Sequence, residues 1–114
     1  MDQDMILIVD LGSLENGRLA GEIREMGVAS RVCSHHVTLE EVLAMPGIKG
    51  IILNGGPDRM ENGEEKDVGL DIYNCDLPVL LVDHRGDAPW PEDELERKNI
   101  LRGFVFGFCG IEEK

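Results

Sequence analysis

The stretch MILIVDLGS, residues 5–13, opens with five apolar residues in a row and turns polar at Asp10, Gly12 and Ser13. A strand with one wet face would alternate apolar and polar side chains, so this continuous run, rich in β-branched residues, reads as a strand buried on both faces. Burying both faces takes helices on either side of a sheet, and the stretch therefore predicts a layered α/β domain.

The flanking sequence repeats the pattern. Leu14, Leu19, Ile23 and Met26 recur at near-helical spacing and Gly27 stands where a C-terminal cap belongs. ASRVCSH (29–35) predicts a weaker second strand. Thr38 then serves as an N-cap for LEEVLAM (39–45), which carries acids in its first turn and stops at Pro46-Gly47. A third strand centred on Ile51 to Leu53 opens into Asn54-Gly55-Gly56-Pro57, a turn whose glycines permit unusual backbone shapes. The acidic segment DRMENGEEKDVG (58–69) reads as a solvated loop leading to a short helix near 68–74. LPVLLVDH (77–84) gives a fourth buried strand. The closing segment PWPEDELERKNILRGFVFGFCG (89–110) predicts a helix with Leu95, Ile100, Leu101, Phe104, Val105 and Phe108 at helical intervals, despite Gly103 and Gly107.

Strands alternating with helices imply a parallel sheet with right-handed crossovers, and ligands of such sheets sit beyond the carboxyl ends of the strands. Asp10, His35, His36, Asn54 to Pro57 and Asp83 to Gly86 all fall just past those ends, so they are expected on one rim.

With 114 residues the chain is expected to form one domain, 1–114. A net charge of −12, from 11 basic against 23 acidic residues, argues against nucleic acid as a partner. No stretch approaches the roughly 20 apolar residues of a membrane span. Asp2 and Asp4 stand where a signal peptide would carry basic residues, so a cytoplasmic location without membrane contact is expected. Cys33, Cys75 and Cys109 have neither pairing nor metal-binding spacing and read as reduced, mostly buried thiols. Asp10, His35, His36, Asp83 and His84 are possible ligands in kind, but adjacent strand-end residues such as Asp83 and His84 point opposite ways. No metal and no cofactor is expected. A phosphoacceptor pocket is also disfavoured, because the end of the third strand carries Asn54.

Four ordered blocks carry a resemblance: MILIVDLGS with the spacing to EIREMGVASRV, then VTLEEVLAMPGIKGIILNGGPD, LPVLLVDHRG, and the tail KNILRGFVFGFCG. Together they resemble class I glutamine amidotransferase domains, nearest to the amidotransferase domain of GMP synthases, over most of residues 4–110. The resemblance implies a flavodoxin-like three-layer sandwich with a short, mostly parallel sheet of about four strands, shortened relative to the family. In that family the strand matching PVLLV runs into an elbow whose cysteine attacks the glutamine amide. The cysteine position falls on Asp83, and the family glycine two residues later falls on Arg85. The family's His-Pro-Glu segment matches Trp90-Pro91-Glu92, so glutamate is kept and histidine is lost. Asn54, Gly55, Gly56 and Pro57 resemble the glycine-rich oxyanion loop, whose N–H groups would stabilise a tetrahedral intermediate. Without the resemblance the same four residues make a plain turn.

A carboxylate is a weaker nucleophile than a thiolate, and its adduct with an amide carbonyl would be a high-energy anhydride. The resemblance thus implies a module without glutamine hydrolysis, with protein interaction or regulation, including self-association, as its expected role. Two alternatives are an anion or small-molecule binder using the Asn54–Pro57 turn and an enzyme of altered chemistry at Asp83. Trp90 is read as edge or core burial, with a binding hot spot as the sharper possibility.

Overall fold

Four parallel strands form the central sheet of the computed structural model, which describes residues 3–84 and 86–113. They are β1 (Met5–Leu11), β2 (Ala29–Ser34), β3 (Ile48–Gly55) and β6 (Val79–Val82), in the spatial order β2-β1-β3-β6. A separate hairpin, β4 (Met60–Glu61) and β5 (Glu64–Glu65), lies between β3 and β6 in sequence. Helices α1 (Asn16–Glu25), α2 (Leu39–Leu43), α3 (Leu70–Tyr73) and α4 (Glu94–Arg102) complete the fold. This is the three-layer, flavodoxin-like α/β arrangement that the sequence predicts.

Alternation along the strands explains the layers. Ile6, Ile8 and Ile52 face Leu19, Ala20 and Ile23 of α1 together with Leu101, Phe104 and Val105 of the closing helix. Leu7, Val9, Leu11, Ile51 and Leu53 face the other way, towards Val42 of α2 and Ile72 of α3. Each fully buried aliphatic side chain of this kind contributes about 1.5–3 kcal/mol. MILIV is wholly apolar because both of its faces are inside.

Several sequence expectations need correction. β6 was expected to be a fully buried strand, yet Val79, Leu80 and Leu81 are only half-buried, because among the described residues β6 pairs with β3 alone and forms a sheet edge. Leu14 precedes α1 and is 75% exposed instead of joining its apolar face. In the closing segment Leu101, Phe104 and Val105 are buried, whereas Leu95, Ile100 and Phe108 are exposed. From Gly103 to Phe108 the helix widens into π-type turns, in which the hydrogen bonds no longer keep the four-residue spacing of an α-helix. The inward face therefore differs from the one a regular helix would present.

The acidic loop contains real structure as well. Asn62 (φ 51°) and Gly63 (φ 83°) both occupy the left-handed region, as a two-residue type I′ hairpin turn requires. By contrast, α2 begins as its sequence predicts: Thr38 accepts from the Glu41 backbone N–H, and the Glu41 side chain accepts from the Thr38 N–H. Strand order reverses between β1 and β3, which places the ligand-accessible crevice of such a sheet at their carboxyl ends.

Candidate functional site

At that crevice lies a cleft of about 330 Å³ lined in part by Ser13, Gly55, Gly56, Asp83 and Trp90. The double-glycine turn, Asp83 and Trp90 thus meet in one place. Glu92 is exposed and makes no hydrogen bond or ion pair with the described residues.

Close packing explains the Gly55-Gly56 pair. A Cβ on Gly55 would stand 2.1 Å from the Asp83 carbonyl oxygen, and one on Gly56 would stand 2.6 Å from that of Gly12. The turn is wedged between the end of β6 and the loop after β1, so glycine is required here by space; neither Gly55 nor Gly56 has the positive φ that would demand glycine for its conformation. Asp83 itself has φ 48°, a left-handed backbone at a non-glycine residue, and marks a sharp turn at the strand end. Its N–H donates to the Ala88 carbonyl at 2.9 Å, and the next helix starts only at Glu94. Among the described residues no helix N-terminus lies behind Asp83 to favour an anion there. Arg85, the family glycine position, lies outside the described residues.

Arg59 ties the two halves of the cleft together. Its Nε donates to the Gly56 carbonyl at 2.9 Å and its Nη2 donates to Asp83 Oδ1 at 3.3 Å. Both side chains are about one-third exposed, so the pair adds under about 1 kcal/mol. Its chemical effect is to engage the Asp83 carboxylate with a guanidinium. Asp10, another rim candidate, is spent on local structure, since its Oδ1 accepts from the Gly12 N–H at 2.9 Å.

Trp90 belongs to a part-buried polar network centred on Asn54. Its Nε1–H donates to Asn54 Oδ1 at 2.9 Å, and Asn54 Nδ2 donates to Asn16 Oδ1 at 2.8 Å. Asn54 is buried, so both ends of its amide are satisfied from within the fold. The Arg97 guanidinium sits 4.6 Å from the centre of the Trp90 ring. Arg97 is buried too, and its Nε donates to the Glu22 carboxylate at 2.8 and 2.9 Å. Trp90 is therefore half-buried and fixed on both faces of its role, apolar body against the core and N–H against Asn54.

His84 points away from Asp83, as expected for neighbouring residues. It is buried, with Nε2 3.3 Å from Asp67 Oδ1 and Nδ1 3.6 Å from Glu65 Oε1. Asp67 also accepts from the Tyr73 hydroxyl at 2.5 Å and from the Val68 N–H at 2.8 Å. Burial works to raise the Asp67 pKa, but the Tyr73, Val68 and His84 contacts outweigh it and hold the carboxyl below its usual value. A depressed carboxyl pKa stabilises the fold above the unfolded-state value and loses that contribution as pH falls through the folded-state value. Tyr73→Phe is thus expected to cost about 1 kcal/mol at neutral pH. The wild-type and variant curves should converge below about pH 4, as urea melts across the acid range will report. A gap that stays constant with pH would rule out Asp67 as its source.

His35 and His36 gather elsewhere on the rim, against Glu61 of the hairpin, with His35 Nε2 3.0 Å from Glu61 Oε2. The three cysteines are free and half-buried, somewhat less enclosed than expected. Burial pushes the Cys33 and Cys109 thiols up to about 11, which leaves them protonated and unreactive at neutral pH. Sequence reasoning missed Arg59, Glu61, Asn16 and the Glu22–Arg97 pair. The Asn62-Gly63 dipeptide was an available signal for the hairpin that carries Glu61, whereas no local signal marks Arg97 as buried.

The layered parallel sheet, with a sharp turn at Asp83 set over a double-glycine turn, is a flavodoxin-like α/β domain, the fold that the resemblance to class I glutamine amidotransferases implies. No family model matches the chain. Over 118 positions and 98% of its length it is 42% identical to a Bacteroides thetaiotaomicron protein provisionally named GMP synthase [glutamine-hydrolyzing] 2. It is also 42% identical, over 71% of its length, to GMP synthase [glutamine-hydrolyzing] of Staphylococcus carnosus, and 40% identical over the same share to that of Staphylococcus aureus. The chain is a GMP synthase-like glutamine amidotransferase domain. It spans 27% of the length of the Bacteroides relative and 16% of the staphylococcal ones.

No described helix is long and apolar enough to cross a membrane.

Proposed function

We propose that this glutamine amidotransferase-related module does not hydrolyse glutamine and acts by protein association, first of all with a second copy of itself. The observation that carries the first half is the state of the two catalytic positions. Asp83 stands at the nucleophile position and is ion-paired with Arg59, while Trp90 stands at the base position with its N–H committed to Asn54. Neither group can generate or accept the charge of a thiolate–imidazolium mechanism. Loss of comparable nucleophile and base groups costs about four to six orders of magnitude in kcat.

Ammonia release from glutamine is expected to stay at the blank level, and Asp83→Cys alone should not raise it, because Trp90 still occupies the base position. Ammonia release by the wild type that disappears in Asp83→Ala would overturn this reading. Association is supported by the half-exposed apolar edge of β6, since an open edge offers unpaired backbone groups and Val79, Leu80 and Leu81 to another chain. Sedimentation velocity over a concentration series should show mass rising towards a dimer. A single monomeric boundary at the highest attainable concentration removes self-association from the proposal.

A further inference from the structure

The second cluster on the rim has a different chemistry. β2 ends at Ser34, and the chain then turns tightly: the His36 N–H donates to Ser34 Oγ and the Val37 N–H donates to the Ser34 carbonyl, each at 3.1 Å. That turn brings the two imidazoles to one side, with ring centres 4.0 Å apart. The type I′ hairpin presents Glu61 to them from the opposite direction. Glu61 Oε2 lies 3.0 Å from His35 Nε2 and 3.7 Å from His36 Nε2, and all three donor atoms fall within 4.8 Å of one another.

We propose that His35, His36 and Glu61 form a surface site for a divalent transition-metal ion of the zinc type. Donors bound at about 2.1 Å in a tetrahedron stand about 3.4 Å apart, and the two separations from Glu61 bracket that value. Two imidazoles and one carboxylate suit zinc, cobalt or nickel and are a poor set for magnesium or calcium, which take mainly oxygen ligands. His36 is largely exposed, so water or another ligand has access to the remaining coordination position. An ion pair between Glu61 and a single histidine explains the 3.0 Å contact. It does not explain why a second imidazole is turned towards the same oxygen, and a shared cation does. The ion would link the hairpin, which adds no side chain to either core cluster, to the exposed edge of the sheet.

The test uses the full, tag-free chain. Calorimetric titration with Zn²⁺ is expected to give one site per chain, and Co²⁺ is expected to give visible d–d bands without a sulfur-to-cobalt charge-transfer band. Glu61→Gln and His36→Ala, both at exposed positions, should each weaken Zn²⁺ binding by about tenfold or more with unchanged circular dichroism. Saturating Zn²⁺ should raise the melting temperature of the wild type and leave that of the variants in place. Absence of a one-to-one site, binding that survives both substitutions, or a thiolate charge-transfer band would each overturn the proposal. The result is independent of whether the cleft at Asp83 is catalytically inactive.

Discussion

Arg97→Ala is expected to destabilise the domain by about 3 kcal/mol and to change the emission of Trp90 in the folded state. Arg97 is 3% exposed and Glu22 about a quarter exposed, so the substitution leaves a mostly buried carboxylate without its main partner. Breaking a buried pair in this way costs about 3–5 kcal/mol. The lower end applies because Arg18 Nε remains 3.7 Å from Glu22 Oε1 and supplies partial compensation. The same substitution removes the cation from the face of Trp90, the chain's single tryptophan, which makes its fluorescence a local reporter. Replacing both partners, Glu22→Met with Arg97→Met, should recover at least half of the loss, because two apolar side chains leave no charge uncompensated. Urea denaturation of the three proteins supplies the comparison. A loss under about 1 kcal/mol with unchanged Trp90 emission would place the pair among ordinary surface contacts.

This pair also marks the boundary of what the sequence made legible. MILIV and GIILNG could be read because their burial is encoded locally, in runs that only a doubly covered strand tolerates. Thr38 and Glu41 could be read because a capping box is complete within four residues. Arg97 sits among charged residues in ELERKN, and its burial depends on Glu22, 75 positions earlier in the chain. Nothing within the helix signals it. The half-exposed β6 has a related cause: PVLLV has the composition of a buried strand, but its exposure is decided by whether another strand follows on its outer side. The hairpin is different, for Asn62-Gly63 was visible. Its flanks, Met60-Glu61 and Glu64-Glu65, lack the apolar alternation that normally accompanies a hairpin turn, so acidity masked it. At the cleft, the strand ends placed Asn54 to Pro57 and Asp83 on one rim, where the structure brings Gly55, Gly56, Pro57 and Asp83 together with Trp90, but they gave no sign of Arg59 or Asn16, whose roles exist only once the chain is folded.

Gly55→Ala is expected to cost about 3 kcal/mol or more, near the upper end for overpacking. The added Cβ would stand 2.1 Å from the Asp83 carbonyl oxygen and 2.9 Å from that of Val82. Both are backbone atoms, one in the last residue of β6 and one just past it, in a register that matches Asn54 with Val82, so no side-chain rotation relieves the contact. β3 and the Asp83 turn must separate, and the Arg59 link between Gly56 and Asp83 strains with them. Asp83→Gly provides the contrast. It loses a part-exposed ion pair but relieves a left-handed φ of 48°, two effects of about 1 kcal/mol or less that oppose one another. Its stability should therefore stay within about 1 kcal/mol of wild type, as guanidinium melts of both variants will show. Here the strict requirement falls on the glycine that lets the backbone pack, and a Gly55→Ala protein as stable as wild type would refute that assignment.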